Sequence, residues 1–268
     1  MSVTYLKTKP YILKNDVQHY AWGSKNESAF IPKLIGMNIE KDKPYAELWI
    51  GAHPKAPSKI NNSNLLDLIA QFPNEILGAD KAAKFDNRLP FLLKILSAGE
   101  ALSIQAHPNK SQAKELHHRD PDHYPDDNHK PEIAIALDNL TALVGFKDMA
   151  GIHQVLAEYP PIASFVTSEV IEKMTELKTE QEKIRLLFSK IMKRAAQETQ
   201  ELAAVLQKMD RLVANKPSLT KQDKLYLELH QNYGTDVGLF SLYLLNLLHL
   251  KKGEAVFLKA GIPHAYLK

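Results

Sequence analysis

Cysteine is absent from the 268-residue sequence. This absence excludes disulfide bonds, thiolate metal ligands and a cysteine nucleophile. A chain without disulfides suits a reducing compartment, and we expect the protein in the cytoplasm. The opening residues MSVTYLKTKPYILKND also lack the apolar segment of a secretory signal peptide.

Long apolar runs are missing as well. The longest, VGLFSLYLLNLLHL at 237–250, contains Ser241, Asn246 and His249 and is too short for a membrane-spanning helix. We therefore expect this run to be buried core, and we expect no membrane partner.

Neither sign of charge is in large excess. The formal net charge is +3, and the basic residues are scattered along the chain. This distribution argues against a nucleic-acid partner. The motifs GxxxxGK[ST], GxGxxG, HExxH and GxSxG are also absent. A phosphate group would therefore be held by side chains, and zincin proteases and α/β-hydrolases are disfavoured.

The composition that remains is that of a globular protein, with 44% hydrophobic residues. Strand patterns and turn residues dominate 1–149 and return in 236–268, whereas 150–235 has helical periodicity. The pattern predicts a mixed, mainly β fold, a β-sandwich with an α-helical insertion. The predicted domains are 1–149 with 236–268, and a helical domain at 150–235.

Individual elements can be predicted within these parts. Short helices are expected at 65–78, two strands at 88–108 joined by residues 97–100, two strands at 131–146 around Asp138 and Asn139, and three strands at 244–268.

The helical part has clear boundaries in the sequence. No glycine or proline occurs from Ile162 to Lys216, and Pro217 interrupts the pattern. Ser218 is the predicted N-cap of a helix that runs toward Gly234.

Polar side chains alternate along LSIQAHPNK at 102–110. If this segment is a strand, Ser103, Gln105 and His107 share one face, and Pro108 ends the strand because proline has no N–H to donate. A hydroxyl, an amide and an imidazole on one face point to a polar site.

Two further residues complete a possible ligand set. Glu132 opens a strand in which Ala134 lies on the same face, and His264 follows the Gly-Ile-Pro turn. Together with Gln105 and His107 they form a nitrogen and oxygen donor set that suits Zn²⁺, and less selectively Mn²⁺, Co²⁺ or Fe²⁺. The alternative is an ordinary polar strand edge with a surface acid.

Two lysines also stand out. Lys130 precedes Glu132 by two residues, and Lys94 interrupts the apolar strand LLKILS. Either both extend to solvent, or they bind an anion or transfer protons. The histidine-rich loop at 117–130 is either a solvated loop or a lid beside the site.

Several segments, in order, resemble the type I phosphomannose isomerase family of the cupin superfamily. They are YAWGS (20–24), AELWIGAHPKAPS (46–58), LPFLLKILSAGEALSIQAHPNK (89–110), NHKPEIAIAL (128–137) and KKGEAVFLKAGIPHAYL (251–267). The resemblance implies a cupin-like jelly-roll domain with a helical insertion.

The resemblance also implies a function. It implies a zinc enzyme that interconverts mannose 6-phosphate and fructose 6-phosphate through an enediol, with a hexose 6-phosphate as substrate. The family's metal ligands match Gln105, His107, Glu132 and His264. The remaining matched positions are the substrate-binding residues Lys94, Ser103, Tyr266 and Trp22, and Lys130, which we expect in the proton relay.

The family's C-terminal region has no counterpart in these residues. Members usually continue past the HAY motif with more strands, a catalytic arginine and an acidic residue. We therefore expect a fragment or a shortened family member, and a monomer, with an oligomer as the alternative. The competing functions are a non-catalytic sugar-phosphate-binding protein and another cupin enzyme, such as an iron oxygenase.

Overall fold

The computed structural model describes residues 6–7, 9–124 and 126–267. Within these residues the strands are β1 (Val17–Gln18), β2 (Glu47–Ile50), β3 (Lys59–Ile60), β4 (Ser63–Asn64), β5 (Leu93–Leu96), β6 (Glu132–Ile135), β7 (Leu140–Phe146), β8 (Leu245–Leu250), β9 (Ala255–Leu258) and β10 (His264–Tyr266).

The helices of the described residues lie mostly in the second half of the chain. They are α1 (Phe30–Ile35), α2 (Leu65–Gln71), α3 (Pro73–Leu77), α4 (Ala79–Lys84), α5 (Lys110–Arg119), α6 (Met149–Glu158), α7 (Pro160–Val166), α8 (Ser168–Glu176), α9 (Glu180–Gln197), α10 (Thr199–Ala214), α11 (Lys221–Tyr233) and α12 (Ser241–Leu244). None of the described helices combines the length and apolar content that crossing a membrane requires.

The chain divides into two compact units, residues 1–100 and residues 101–268. The first unit contains the antiparallel sheet β1-β2-β5 and the hairpin β3-β4. Its small core includes the buried side chains of Ile31, Tyr45 and Leu48.

The second unit contains two antiparallel sheets. In the sheet β10-β7-β8, His264 pairs with Val144, and in the sheet β6-β9, Glu132 pairs with Leu258. The two strands predicted around Asp138 are confirmed as β6 and β7, although they pair with other strands rather than with each other.

A bulge interrupts β7. Val144 pairs with Asn246, and Phe146 pairs with Leu245, so Gly145 is an extra residue in β7. Gly145 has a φ of +63°, a backbone conformation that glycine adopts without steric cost.

In the second unit, helices between α6 and α12 and the sheet β10-β7-β8 share one apolar core. It includes Phe165, Leu187 and Met209 from helices, and Leu143 and Ala265 from strands. Burial of this core determines which face of the sheet points inward. The position of the sheet in turn determines where His264, the first residue of β10, lies.

Three expectations need correction. The mixed fold with a helical part is confirmed, but β structure does not dominate, since helix accounts for 45% and strand for 17%. Residues 102–107 form no regular strand: besides an isolated bridge between Gln105 and His264, they make single backbone hydrogen bonds from Leu102 N to Tyr266 O and from Gly261 N to His107 O. The N-cap of α11 is Thr220 rather than Ser218, because Thr220 and Asp223 form a reciprocal capping box. The predicted domain boundaries stay a prediction.

Candidate metal centre

Three side chains with metal-ligand chemistry converge in the second unit. His107 Nε2 lies 2.9 Å from Glu132 Oε1, and His264 Nε2 lies 3.3 Å from Glu132 Oε2. The ligand atoms of these three residues all lie within 4.8 Å of one another. Ligand atoms of a tetrahedral zinc site lie about 3.4 Å apart, so the three side chains fit one ion after small adjustments.

Two of the three residues begin a strand, and the third shortly precedes a helix. His107 precedes Pro108 and α5, where Asn109 and Gln112 form a capping box. Glu132 is the first residue of β6, and His264 is the first residue of β10. The backbones of Gln105 and His264 exchange two hydrogen bonds of 2.8 Å, which bring the His107 segment next to β10.

The imidazole of His264 is oriented by its own turn. Its side chain is 3% exposed, and Nδ1 lies 2.9 Å from the carbonyl oxygen of Ile262. A carbonyl only accepts hydrogen bonds, so Nδ1 carries a proton whether or not Nε2 is also protonated. Nε2 is therefore the nitrogen available to the centre, an arrangement typical of metal-ligating histidines.

Glu132 concentrates negative charge between the imidazoles. Burial raises the pKa of its carboxyl, but hydrogen bonds from His107 and His264 outweigh burial, and the net pKa lies far below the usual range. Burial lowers the pKa of His264, but its bonds to Glu132 and to the Ile262 carbonyl raise it overall. An ionised carboxylate beside two imidazoles is a donor set that Zn²⁺ favours.

Tyr266 also faces this carboxylate. Its hydroxyl donates to Glu132 Oε2 at 3.4 Å. Burial and the charge of Glu132 both raise the pKa of Tyr266, which keeps the hydroxyl protonated. Its predicted substrate-binding role stays a prediction, and the structure adds a contact with the centre.

Other predicted residues of the second unit lie near the same segments. Gln105 and Ser103 are exposed in the extended stretch before His107. Lys130 precedes β6, and its Nζ lies 3.0 Å from Asp126 Oδ2. Since β6 begins at Glu132, strand alternation does not extend to Lys130. The roles of Gln105, Ser103 and Lys130 stay predictions.

A cavity of about 400 Å³ opens beside His107. Gln112, Glu115 and Tyr124 contribute polar walls to it. The sequence did not single out Gln112 or Glu115, whereas Tyr124 lies in the loop 117–130 that was expected as a possible lid beside the site. The Asn109-x-x-Gln112 capping box could have revealed α5 and, with it, the helix face that lines the cavity.

Lys94 and Trp22 belong to the first unit. Lys94 Nζ lies 3.4 Å from Glu47 Oε2 and 5.0 Å from the centre of the Trp49 ring. The Lys94 side chain is 40% exposed, so the lysine in the apolar strand both reaches solvent and is paired with Glu47. The Trp22 ring stacks on Tyr20 at 5.8 Å. The substrate-binding roles of Lys94 and Trp22 stay predictions.

Comparisons with known proteins agree on one family. The family model "Phosphomannose isomerase type I, catalytic domain" matches residues 11–149, and "Phosphomannose isomerase type I, helical insertion domain" matches residues 162–245. Mannose-6-phosphate isomerase of Rattus norvegicus is 39% identical over 94% of this chain, and that of Homo sapiens is 38% identical over 94%.

Solved structures give the same result. A mannose 6-phosphate isomerase bound with zinc and yttrium matches 96% of this chain with a TM-score of 0.81 and 32% identity, covering 65% of that structure. The apo form from Salmonella typhimurium matches equally, with 64% of that chain covered. The present chain spans 63% of the length of the rat and human relatives.

Proposed function

The chain belongs to the type I phosphomannose isomerase family, and from this premise we propose that it acts as a zinc-dependent aldose–ketose isomerase. The proposed reaction interconverts mannose 6-phosphate and fructose 6-phosphate through an enediol. The observation that carries the proposal is the convergence of His107, Glu132 and His264 in a chain that matches the family's catalytic domain.

We propose Gln105, His107, Glu132 and His264 as the zinc ligands. Gln105 supplies an amide oxygen on the backbone segment that pairs with His264, and the other three already converge. The zinc-bound relative supports this choice of metal. A bound Zn²⁺ supplies a Lewis acid that stabilises negative charge on the sugar oxygens.

The proton must move between C1 and C2 of the opened sugar. This step needs a group that takes a proton from C2 and returns it to C1. We propose Lys130 in this relay. Its Nζ is held by Asp126 at 3.0 Å, so the relay requires this ion pair to open when substrate binds.

The remaining predicted residues are proposed to bind substrate. Ser103, Tyr266, Lys94 and Trp22 supply hydroxyl, ammonium and aromatic groups that suit sugar hydroxyls and a phosphate. We also propose that the strands belong to a cupin-like jelly roll, as in the family, and that the protein is cytoplasmic.

The test measures zinc content and fructose 6-phosphate formation on the same sample. The native chain is expected to hold about one zinc per chain and to turn over mannose 6-phosphate. His264→Ala is expected to lose the metal, whereas His249→Ala, at an exposed position of β8, is expected to keep it. Equal zinc content in the native chain and His264→Ala would contradict the ligand assignment.

Lys130 is tested separately. Lys130→Met removes the amine but keeps a long side chain, and we expect kcat to fall about 100-fold or more, the scale of a lost acid–base group, with zinc content unchanged. Lys147→Met is a matched control outside the relay. Zinc binding without any turnover in the native chain would show that catalysis needs residues beyond these 268.

A further inference from the structure

The bulge in β7 lies directly behind His264. Gly145 is the extra residue, with a φ of +63°, between Val144, which pairs with Asn246, and Phe146, which pairs with Leu245. Bulges of this kind bend a strand and often re-aim a side chain beside a functional site. The question is what holds the bulge in this shape.

The side chain of Asn246 contacts all three carbonyl oxygens of the bulge. Its Nδ2 lies 2.9 Å from the oxygen of Phe146 and 3.3 Å from the oxygens of Val144 and Gly145. Because all three neighbours are acceptors, the amide must present its NH₂ group to them. Asn246 thus ties together three successive carbonyls of the bulge.

On its opposite side, the bulge contacts the backbone of Pro263, the residue before His264. Gly145 N donates to the carbonyl oxygen of Pro263 at 2.8 Å. His264 then pairs with Val144 on this side and with Gln105 on the other. The direction of the His264 side chain therefore depends on where the bulge places Pro263.

We propose that Asn246 is a positioning residue for His264. It fixes the bulge at Gly145, the bulge fixes Pro263, and Pro263 sets the imidazole toward Glu132. Asn246 itself is exposed and acts only through this backbone. The proposal rests on the proposed function insofar as it assigns His264 to zinc.

The decisive variant is Asn246→Asp. It keeps the size of the side chain, removes both N–H donors and places a carboxylate against carbonyl oxygens. Asn232→Asp, on an exposed position of α11, makes the same chemical change away from the bulge. Two quantities are measured: the zinc dissociation constant by competition with a chromogenic chelator, and hydrogen exchange of the Gly145 amide in the metal-free protein.

We expect Asn246→Asp to weaken zinc binding by about 10- to 100-fold, the scale for residues that orient ligands. We expect the Gly145 amide to exchange at least tenfold faster, on the order of one lost hydrogen bond. Asn232→Asp should leave both within twofold. Unchanged Gly145 exchange overturns the proposal, because the bulge is the link. Faster exchange with zinc affinity within twofold also overturns it, because His264 would then not depend on the bulge.

A measurement on the native protein covers the case in which Asn246→Asp does not fold. The side-chain amide protons of Asn246 should exchange more slowly than those of exposed Asn232, and equal rates overturn the proposal. The exchange measurements need no metal. If the native chain binds no zinc, the proposed function fails while the effect of Asn246 on the bulge is still read from Gly145.

Discussion

At the scale of single residues, Glu132 is the side chain that the other residues of the candidate metal centre contact. Both of its oxygens are engaged, one by His107 and the other by His264 and Tyr266. The sequence predicted His107, Glu132 and His264 together, from strand patterning and from the family motifs. It could not predict that Lys130 would pair with Asp126, because that contact depends on the conformation of the irregular segment that joins them.

The contact between Tyr266 and Glu132 leads to a prediction at this scale. Tyr266→Phe removes a hydroxyl that donates to Glu132 Oε2. If this bond orients the carboxylate, zinc affinity should fall about 2- to 10-fold, the worth of one hydrogen bond, with little change in KM. Chelator competition and steady-state kinetics separate the two effects.

Tyr11→Phe, which removes an exposed hydroxyl bonded to the carbonyl of Lys7, is the matched control for Tyr266→Phe. A rise in KM for mannose 6-phosphate with unchanged zinc affinity would instead assign Tyr266 to substrate, as the family resemblance implies.

At the scale of elements, local signals predicted the structure where an element is long or regularly patterned. The helices at 65–77, the strands flanking Asp138 and the three C-terminal strands were predicted from periodicity and turn residues. The segment 102–107 alternates like a strand but forms only one bridge. Alternation of polar and apolar residues shows only that the two faces of a segment differ in polarity. A hydrogen-bonded β-ladder also needs a neighbouring strand in register.

The buried carboxylate of Asp223, in α11, links several segments of the helical region through hydrogen bonds. It accepts hydrogen bonds from Tyr159 at 2.9 Å, Tyr243 at 3.1 Å, Lys216 at 3.0 Å and the backbone N–H of Thr220 at 3.0 Å. Burial raises the pKa of Asp223, but the bonds from Lys216 and Thr220 lower it overall. The ionised form is therefore the one that stabilises the fold.

Because the pKa of Asp223 is lowered in the folded state, the stability of the fold should depend on pH. A lowered folded-state pKa contributes stability that is complete above the unfolded-state value near 3.8 and is lost as the pH falls through the folded-state value. Asp223→Asn should reduce the free energy of unfolding at pH 7 by about 3 kcal/mol. The difference from the native chain should shrink below about pH 4, as the native carboxyl becomes protonated.

Urea unfolding across pH 3–7 measures this difference. Asp138→Asn, in the exposed turn between β6 and β7, is the control and should follow the native curve. A penalty for Asp223→Asn that stays constant down to pH 3 would show that shape, not charge, is what the cluster requires.

The sheet β6-β9 has an apolar face that is exposed. Ile133, Ile135 and Phe257 are 64%, 57% and 60% exposed, and Ile133 pairs directly with Phe257. Ile133 and Ile135 alternate with Glu132 and Ala134 along β6, and the burial pattern of β6 places the two isoleucines on the exposed face. Contiguous apolar surface on a two-stranded sheet favours association.

This exposed face favours the oligomer, the alternative to the monomer expected from the sequence. We therefore expect the 268-residue chain to self-associate as its concentration rises, and Ile135→Thr to weaken this association severalfold. Threonine preserves the β-branched shape that suits a strand, so the change removes apolar area rather than strand propensity. Sedimentation at several concentrations measures the effect. Ile12→Thr, at an isolated position that is 92% exposed, should leave association unchanged, and an equal effect of both substitutions would rule out the β6-β9 face.

At the scale of the whole molecule, the chemistry is unevenly distributed. The residues of the metal-ligand group all lie in the unit 101–268, together with the large helical core. The sequence predicted a division between β and helical parts, which stays a prediction, and the compact units divide at residue 100. Contacts across the chain set that boundary, and composition along the chain does not report them.

Zinc should stabilise the two units differently. A ligand that binds only the folded state at 100 times its dissociation constant adds about 2.7 kcal/mol, which for a unit of this size raises Tm by roughly 5–10 °C.

Both tryptophans, Trp22 and Trp49, lie in the unit 1–100, whereas most helices lie in the unit 101–268. Circular dichroism at 222 nm therefore follows mainly the second unit, and tryptophan fluorescence follows the first. We expect zinc to raise the Tm seen by circular dichroism and to leave the fluorescence transition within about 2 °C, with Mg²⁺ as an inactive control because it prefers oxygen ligands. Equal shifts in both signals would mean that the two units unfold together, since stabilisation at His107, Glu132 and His264 would then reach residues 1–100.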